Sequence, residues 1–392
     1  MKHKIIFIFL ALIVSTVMNA QIQSIEDILL SIESNNKQLQ ANKQETISQK
    51  LEAKTDNNLS DPSVSYSYLW GKDNESISEL EVTQSFDFPS LYVTRNRMNK
   101  LKFGAFDSQA EALRRDLLLQ AKEVCLDIIL LRQQKKILDE RLNNALILSE
   151  LYGQRLKAGD ATIIETNKIN LELLNVKTEA TLNETSLRNK LKELITLNGN
   201  KEIIFEGTEY PVVIFPLDYE SLRNEIITSD MSLYALDREA AASQVEVSLN
   251  KSQWIPKLEL GYRRNTESGM PFNGVTAGIS IPLFENRNKV KQAKAKNLNL
   301  TFQKENKLLE IESELVQQYQ EAQSLQTTME AYESTFASQS DLLVLKEALT
   351  GGQISIIDYF VEVSVVYQSK QNYLQLKNQY HKAMAKIYKN RL

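Results

Sequence analysis

A seven-residue phrase occurs twice in this chain. Gly159-Asp160-Ala161-Thr162-Ile163-Ile164-Glu165 returns 193 residues later as Gly352-Gln353-Ile354-Ser355-Ile356-Ile357-Asp358. Pro89 returns at the same offset as Pro282, and Pro62 returns 194 residues later as Pro256. A shared spacing at three punctuation points means tandem copies of one structural unit. Any fold available to this chain must therefore be assembled from two equivalent halves. They are read here as 21–200 and 219–392, with a connector at 201–218.

Residues 1–20 stand outside the repeat. Lys2 and Lys4 precede a mostly apolar run over 5–18, and Asn19-Ala20 offers a cleavage point before Gln21. This is the pattern of an export signal peptide, too short to span a bilayer as a helix. No Cys follows the run, and Cys125 is alone, so no internal disulfide staples the fold. Lys and Arg number 46 against 50 Asp and Glu, a balance that gives nucleic acid no electrostatic footprint. Past the leader, no apolar run reaches the ~18 residues expected of a membrane helix. If this chain enters a membrane, it must do so as strands.

The helical parts announce themselves by missing punctuation. Between 286 and 350 there is neither Gly nor Pro. As one helix that stretch would run about 98 Å at 1.5 Å per residue. Its counterpart over 95–157 contains only Gly104 and Gly153. Within it Leu117, Ala121, Val124, Ile128 and Leu131 step by four and three, and Leu138, Leu142 and Ala145 continue the seam. That is coiled-coil periodicity. A shorter helix follows each Gly phrase, over 161–197 and 354–387, and each copy opens with a helix, over 25–53 and 219–249.

Between the Pro residues the period drops to two. Ser63-Val64-Ser65-Tyr66-Ser67-Tyr68 alternates strictly, as do Leu80-Glu81-Val82-Thr83, Leu258-Glu259-Leu260-Gly261-Tyr262-Arg263 and Val275-Thr276-Ala277-Gly278-Ile279. The expected strands are 62–70, 78–88, 257–264 and 274–283, in two hairpins with polar loops at 71–76 and 264–273. Transmembrane barrel strands alternate in this way, and so do half-buried hairpins of ordinary domains. On the barrel reading Glu79, Glu81, Asp87, Glu259 and Arg263 line a lumen. Four strands leave two open edges, which a membrane interior forbids, so several chains would have to share one barrel.

Chemistry is sparse. Gly159 and Gly352 suit tight turns between antiparallel helices. Threefold symmetry would gather Glu165 and Asp358 into rings of like charge, raising their pKa. The first turn of a helix favours an acid equally well through its dipole. Apart from His3 in the leader the only His is His381, and no nucleophile elbow, phosphate loop or metal-ligand cluster occurs. Neither catalysis nor a cofactor is expected.

The succession of helix, hairpin, long helix, Gly turn and shorter helix, duplicated after an export signal, resembles the TolC-type outer-membrane efflux channels. The local matches are Leu156 to Glu165, Leu349 to Asp358, Pro256-Lys257-Leu258-Glu259-Leu260-Gly261, and Ile281-Pro282-Leu283-Phe284 leading into Asn286-Arg287 and Val290. The resemblance implies a mainly α fold with a transmembrane β-barrel portion. Each chain would be one third of a homotrimer, with a twelve-stranded barrel in outer-membrane lipid and an α-helical tunnel in the periplasm. Its function would be that of a passive exit duct, fed by an inner-membrane pump through a periplasmic adaptor (membrane fusion) protein. By position it makes Gly159, Gly352, Thr162 and Ser355 the adaptor-contact tips, and Glu165 and Asp358 the periplasmic aperture. A second acid that the family often carries three residues past Asp358 is Val361 here, with Glu362 beside it. A non-channel envelope coiled-coil scaffold is the alternative. The lining does not choose among metal ions, drugs and polypeptides as cargo.

Overall fold

The computed structural model describes residues 24–72, 75–338 and 342–392. The expected export signal at 1–20 lies outside the described residues. The first repeat forms α1 (Ile25–Asn35), α2 (Lys37–Thr55), β1 (Ser63–Trp70), β2 (Ser76–Phe86), α3 (Pro89–Ala158) and α4 (Ile163–Leu197). The second forms α5 (Tyr219–Ser229), α6 (Met231–Ser252), β3 (Lys257–Glu267), β4 (Met270–Ser280), α7 (Lys289–Ser338), α8 (Leu342–Thr350) and α9 (Ile356–Ile387).

Two local readings change. Each opening helix is in fact two. Asn36 ends α1 in an extended conformation, and its side-chain amide donates to Leu197 O at 2.7 Å. Asp230 caps α6 by accepting from the Leu233 N–H at 2.9 Å, so α5 stops there. A short polar side chain that can bond backbone competes with helix continuation. The second hairpin is also longer than expected. Residues 264–273, taken as a loop, are paired strand closed by Ser268 and Gly269, with φ of 45° and 85°. Two positive φ values make the tight turn whose twist matches its strands.

The described chain divides into two compact units. One holds the residues up to Lys37, then Arg115–Leu217 and Leu315–Leu392. Its core includes Ile28, Ile32, Leu126, Ile129, Leu194 and Met384, each at most 2% exposed. Of the expected seam on α3, Leu117, Ala121, Val124, Ile128, Leu138 and Ala145 are buried, while Leu131 and Leu142 are half-buried. Cys125 is fully buried, and burial pushes its thiol up to about 12, so it is inert. The connector 201–217 takes no helix or strand. Side chains hold it instead: Arg132 donates to Phe205 O and Gly207 O, Gln133 to Thr208 O, and the Tyr319 hydroxyl to Pro216 O. Gly199, with φ +66°, sits against Asn35 O so closely that an added Cβ would lie 2.3 Å from it.

The other unit holds Gln38–Arg114 and Asp218–Glu314. Leu91 and Met98 of α3 pack with Ala242 and Leu249 of α6 in its helical core. Its four strands form one antiparallel sheet in the order β1-β2-β3-β4. The β2–β3 pairing joins the hairpins of the two repeats edge to edge, from Ile77↔Glu267 to Phe86↔Leu258.

Candidate functional site

Both helix tips are built by the same hydrogen bonds. At the end of α3 the Gly159 N–H donates to Leu156 O at 3.2 Å and the Asp160 N–H to Arg155 O at 2.8 Å. This is a Schellman turn, and Gly159 supplies its left-handed residue at φ +83°. Thr162 then caps α4. Its hydroxyl accepts from the Glu165 N–H at 3.2 Å, while Glu165 Oε2 accepts from the Thr162 N–H and hydroxyl, both at 2.7 Å. The second tip repeats the set. The Gly352 N–H donates to Leu349 O at 3.1 Å and the Gln353 N–H to Ala348 O at 2.8 Å. Ser355 and Asp358 form the reciprocal capping box of α9. The duplicated phrase therefore has a local reason: it satisfies the free backbone groups of two helix ends within seven residues.

Glu165 and Asp358 are thus capping residues, each engaging one carboxylate oxygen. The Thr162 N–H, and then its hydroxyl, hold the Glu165 carboxyl below its ordinary value. Within the chain the direction is opposite to the rise expected from a crowded ring. The two glycines face open space, since a Cβ on either would meet nothing within 4 Å. Beside them Ile163, Ile164 and Ile357 are exposed. Both tips rest on one core that includes Leu148, Ile169, Leu349, Ile356, Tyr359 and Val363.

The sequence did not single out Arg141, which lies beneath the tips. Its guanidinium bonds Glu172 at 2.7 Å and Glu179 at 2.9 Å on α4, and lies 5.9 Å from the centre of the Tyr367 ring on α9. The Asn144 amide donates to the Tyr367 hydroxyl at 3.1 Å. Arg141, Asn144, Glu172 and Tyr367 line a cavity of about 310 Å³ among α3, α4 and α9. Only the i,i+3 and i,i+4 neighbours of Arg141 are legible in sequence, and its partners lie on other helices.

The sheet carries the second constellation. Cross-strand partners share a face. Ser65↔Glu81, Ser67↔Glu79, Glu81↔Arg263 and Ser85↔Glu259 therefore gather Ser, Glu and Arg on one side. Val64↔Val82, Tyr66↔Leu80, Val82↔Tyr262, Phe86↔Leu258 and Leu260↔Ala277 gather apolar side chains on the other. Burial on β3 is inverted relative to a soluble sheet. Its polar-face positions Glu259, Gly261 and Asn265 are half-buried, though Arg263 is exposed, while Leu258, Leu260 and Tyr262 are exposed; β1 is exposed along both faces. Val64, Trp70, Val275 and Ile279 are 68%, 80%, 84% and 65% exposed. Gly261 shows why. A Cβ there would meet Thr276 Oγ1 at 2.5 Å and Thr83 Cγ2 at 2.7 Å, both on the polar face. The missing side chain lets Thr83 and Thr276 close over the strand on that face.

Glu79, Glu81, Glu259 and Arg263 therefore lie together on the polar face, and Arg263 pairs with Glu79 at 2.5 Å. Asp87 does not join them. It lies beyond the end of β2, where its carboxylate takes an ion pair from Arg95 at 2.6 Å as α3 begins. The period-two pattern ran on to Asp87, but Pro89 opens a helix and ends the alternation. Among the described residues no cluster of metal-ligating side chains occurs, and no helix is long and apolar enough to cross a membrane.

No family model matches the chain, and no curated protein matches it significantly. Solved structures do. A membrane protein from Pseudomonas aeruginosa superposes with a TM-score of 0.79 at 14% identity, over 93% of this chain and 93% of its own. The open state of the Neisseria gonorrhoeae MtrE outer-membrane channel gives 0.77 at 12% identity, over 93% of this chain and 88% of its own. The outer membrane protein VceC of Vibrio cholerae gives 0.74 at 15% identity, over 93% of this chain and 95% of its own. At these identities the likeness is one of fold: the chain is folded as these membrane proteins are, the fold that its resemblance to the TolC type implied.

Proposed function

We propose that this protein is the outer-membrane channel of a tripartite efflux system, a passive exit duct that extends into the periplasm. The observation that carries the reading is the two-sided sheet, with apolar side chains exposed on one face, taken as the outer one, and Glu79, Glu81, Glu259 and Arg263 gathered on the other. Such a sheet is stable only where its outer face meets lipid. Its strand order ends on unpaired β1 and β4. In hydrocarbon those edges require partners, and a homotrimer supplies them with twelve strands in all. A coiled-coil scaffold has no use for such a face.

In this reading the chain is not an enzyme. Substrates reach it from an inner-membrane pump through a periplasmic adaptor. The tips at Gly159 and Gly352, with Thr162 and Ser355, are the adaptor contacts. Open space around both glycines and exposed Ile163, Ile164 and Ile357 support that assignment. Glu165 and Asp358 line the periplasmic aperture with the carboxylate oxygens that the capping boxes leave free. The test is fractionation and reconstitution of the mature protein. Heat-modifiable trimers in the outer membrane and discrete conductance in planar bilayers are expected. A monomer that stays in solution without detergent refutes the reading.

A further inference from the structure

The strand ends carry a feature that a passive duct does not require. β1 and β3 start, and β2 and β4 finish, at one edge of the sheet. Just beyond that edge the exposed apolar residues continue as Phe88, Val93, Trp254, Leu283 and Phe284. Next come the exposed cations Arg97 and Lys100 on α3, and Arg287, Lys291 and Lys294 at the start of α7. Their neighbours Arg95, Lys257, Lys289 and Lys296 all have acidic partners, whereas these five have none among the described residues.

Helix stability does not account for them. Neither α3 nor α7 has an acid in its first turn, and Lys291, in the first turn of α7, opposes the dipole of its helix. Each repeat carries a basic pair three residues apart, Arg97 and Lys100 after Pro89 and Lys291 and Lys294 after Pro282, one residue out of step with the 193-residue offset. The chain as a whole has a formal net charge of −4, so this concentration is local. At the same end of the sheet a mostly apolar groove of about 680 Å³ is lined by Phe86, Tyr92, Leu258, Leu260 and Ile279, with Asp87 and Glu259 also at its wall. Tyr92 opens the helix that carries Arg97 and Lys100.

The geometry points to a collar for anionic phospholipid, with an acyl chain in the groove and its phosphate headgroup held by these cations. An aromatic girdle followed by cations is the order in which a membrane interface presents acyl boundary and then phosphate. Long Arg and Lys side chains reach back toward headgroups from a turn or two away. The occupant is a lipid of the periplasm-facing leaflet, and the inference rests on the channel reading.

The test uses the mature trimer reconstituted into phosphatidylcholine vesicles with and without phosphatidylglycerol. Conductance is recorded, and spin-labelled lipids report selectivity at the protein surface. Phosphatidylglycerol should be preferred by about fivefold, the equivalent of one interfacial cation. The preference should weaken in high salt. The quadruple variant R97Q/K100Q/K291Q/K294Q should conduct with the preference abolished, and the charge-conserving R97K/K291R should retain it. Conductance without any preference overturns the collar and leaves the channel standing. Loss of the trimer in the quadruple variant assigns the cations to a subunit contact and also overturns it. Displacement of the lipid by inorganic phosphate, but not by chloride at equal ionic strength, would make the ligand free phosphate and reject the lipid. Failure to insert in either vesicle removes both readings.

Discussion

His381 offers a clean titration, because the only other His, His3, lies in the expected export signal. Its ring is 8% exposed on α9, stacked 4.4 Å from the Tyr210 ring at an interplanar angle of 4°, with the Tyr380 edge at 5.5 Å. Nδ1 has no hydrogen-bond partner. Burial, and then the charges of Lys377 and Lys122, lower its pKa to about 4. The native state therefore binds fewer protons than the unfolded chain between that value and the ordinary imidazole value of 6.5. Stability is intact above the unfolded pKa, falls as pH drops through 6.5, and levels off below about 4. The full shift is worth roughly 3 kcal/mol, of which about 2 should be lost between pH 7.5 and pH 5. Urea unfolding of the detergent-solubilised mature protein should show that loss, and His381→Gln should remove it from the pH profile. NMR of the single imidazole gives its pKa directly. A value near 6.5, or parallel profiles for the two proteins, would refute the argument that His381 is held neutral by burial.

The glycines make a matched pair. Gly199→Ala brings a Cβ to 2.3 Å from Asn35 O at φ +66°, whereas Gly352→Ala at φ +69° meets nothing within 4 Å. The second should cost about 1–2 kcal/mol for the left-handed backbone alone, and the first distinctly more in the same unfolding assay. Thr162→Ala removes both hydroxyl bonds of a capping box and should cost about 1 kcal/mol. It should also raise the Glu165 carboxyl pKa toward its ordinary value, read by 13C NMR. The native stabilisation from that carboxylate is present above its unfolded pKa and is lost on acidification through the lowered value. Finally, Glu165→Ala with Asp358→Ala should raise single-channel conductance. An assembled double mutant with unchanged conductance would reject the aperture assignment.

The fold was legible because it is written in spacing. Missing punctuation over 286–350 marks the helix observed as α7 and α8, and period-two alternation marks the strands. The tips were legible as a phrase, and the capping and Schellman bonds now supply its cause. The split at Asn36 was less legible because its amide bonds Leu197, 161 residues away. The Ser268-Gly269 turn was hidden inside a stretch that looked merely polar, where Met270 and Phe272 alternate out of phase with Val275, Ala277 and Ile279. Arg141 escaped notice because its acidic partners sit on a different helix.

Duplication, helix lengths, turn positions and the two-sidedness of each strand follow from residue order alone, since each depends on neighbours within a few positions. Which strands pair does not. Only tertiary structure joins β2 to β3 and so merges the hairpins of both repeats into one sheet. Alternation cannot say which face of a sheet is covered. That depends on Thr83 and Thr276 closing over Gly261 from adjacent strands on the polar face, while Val64, Val275 and Ile279 of the apolar face stay exposed.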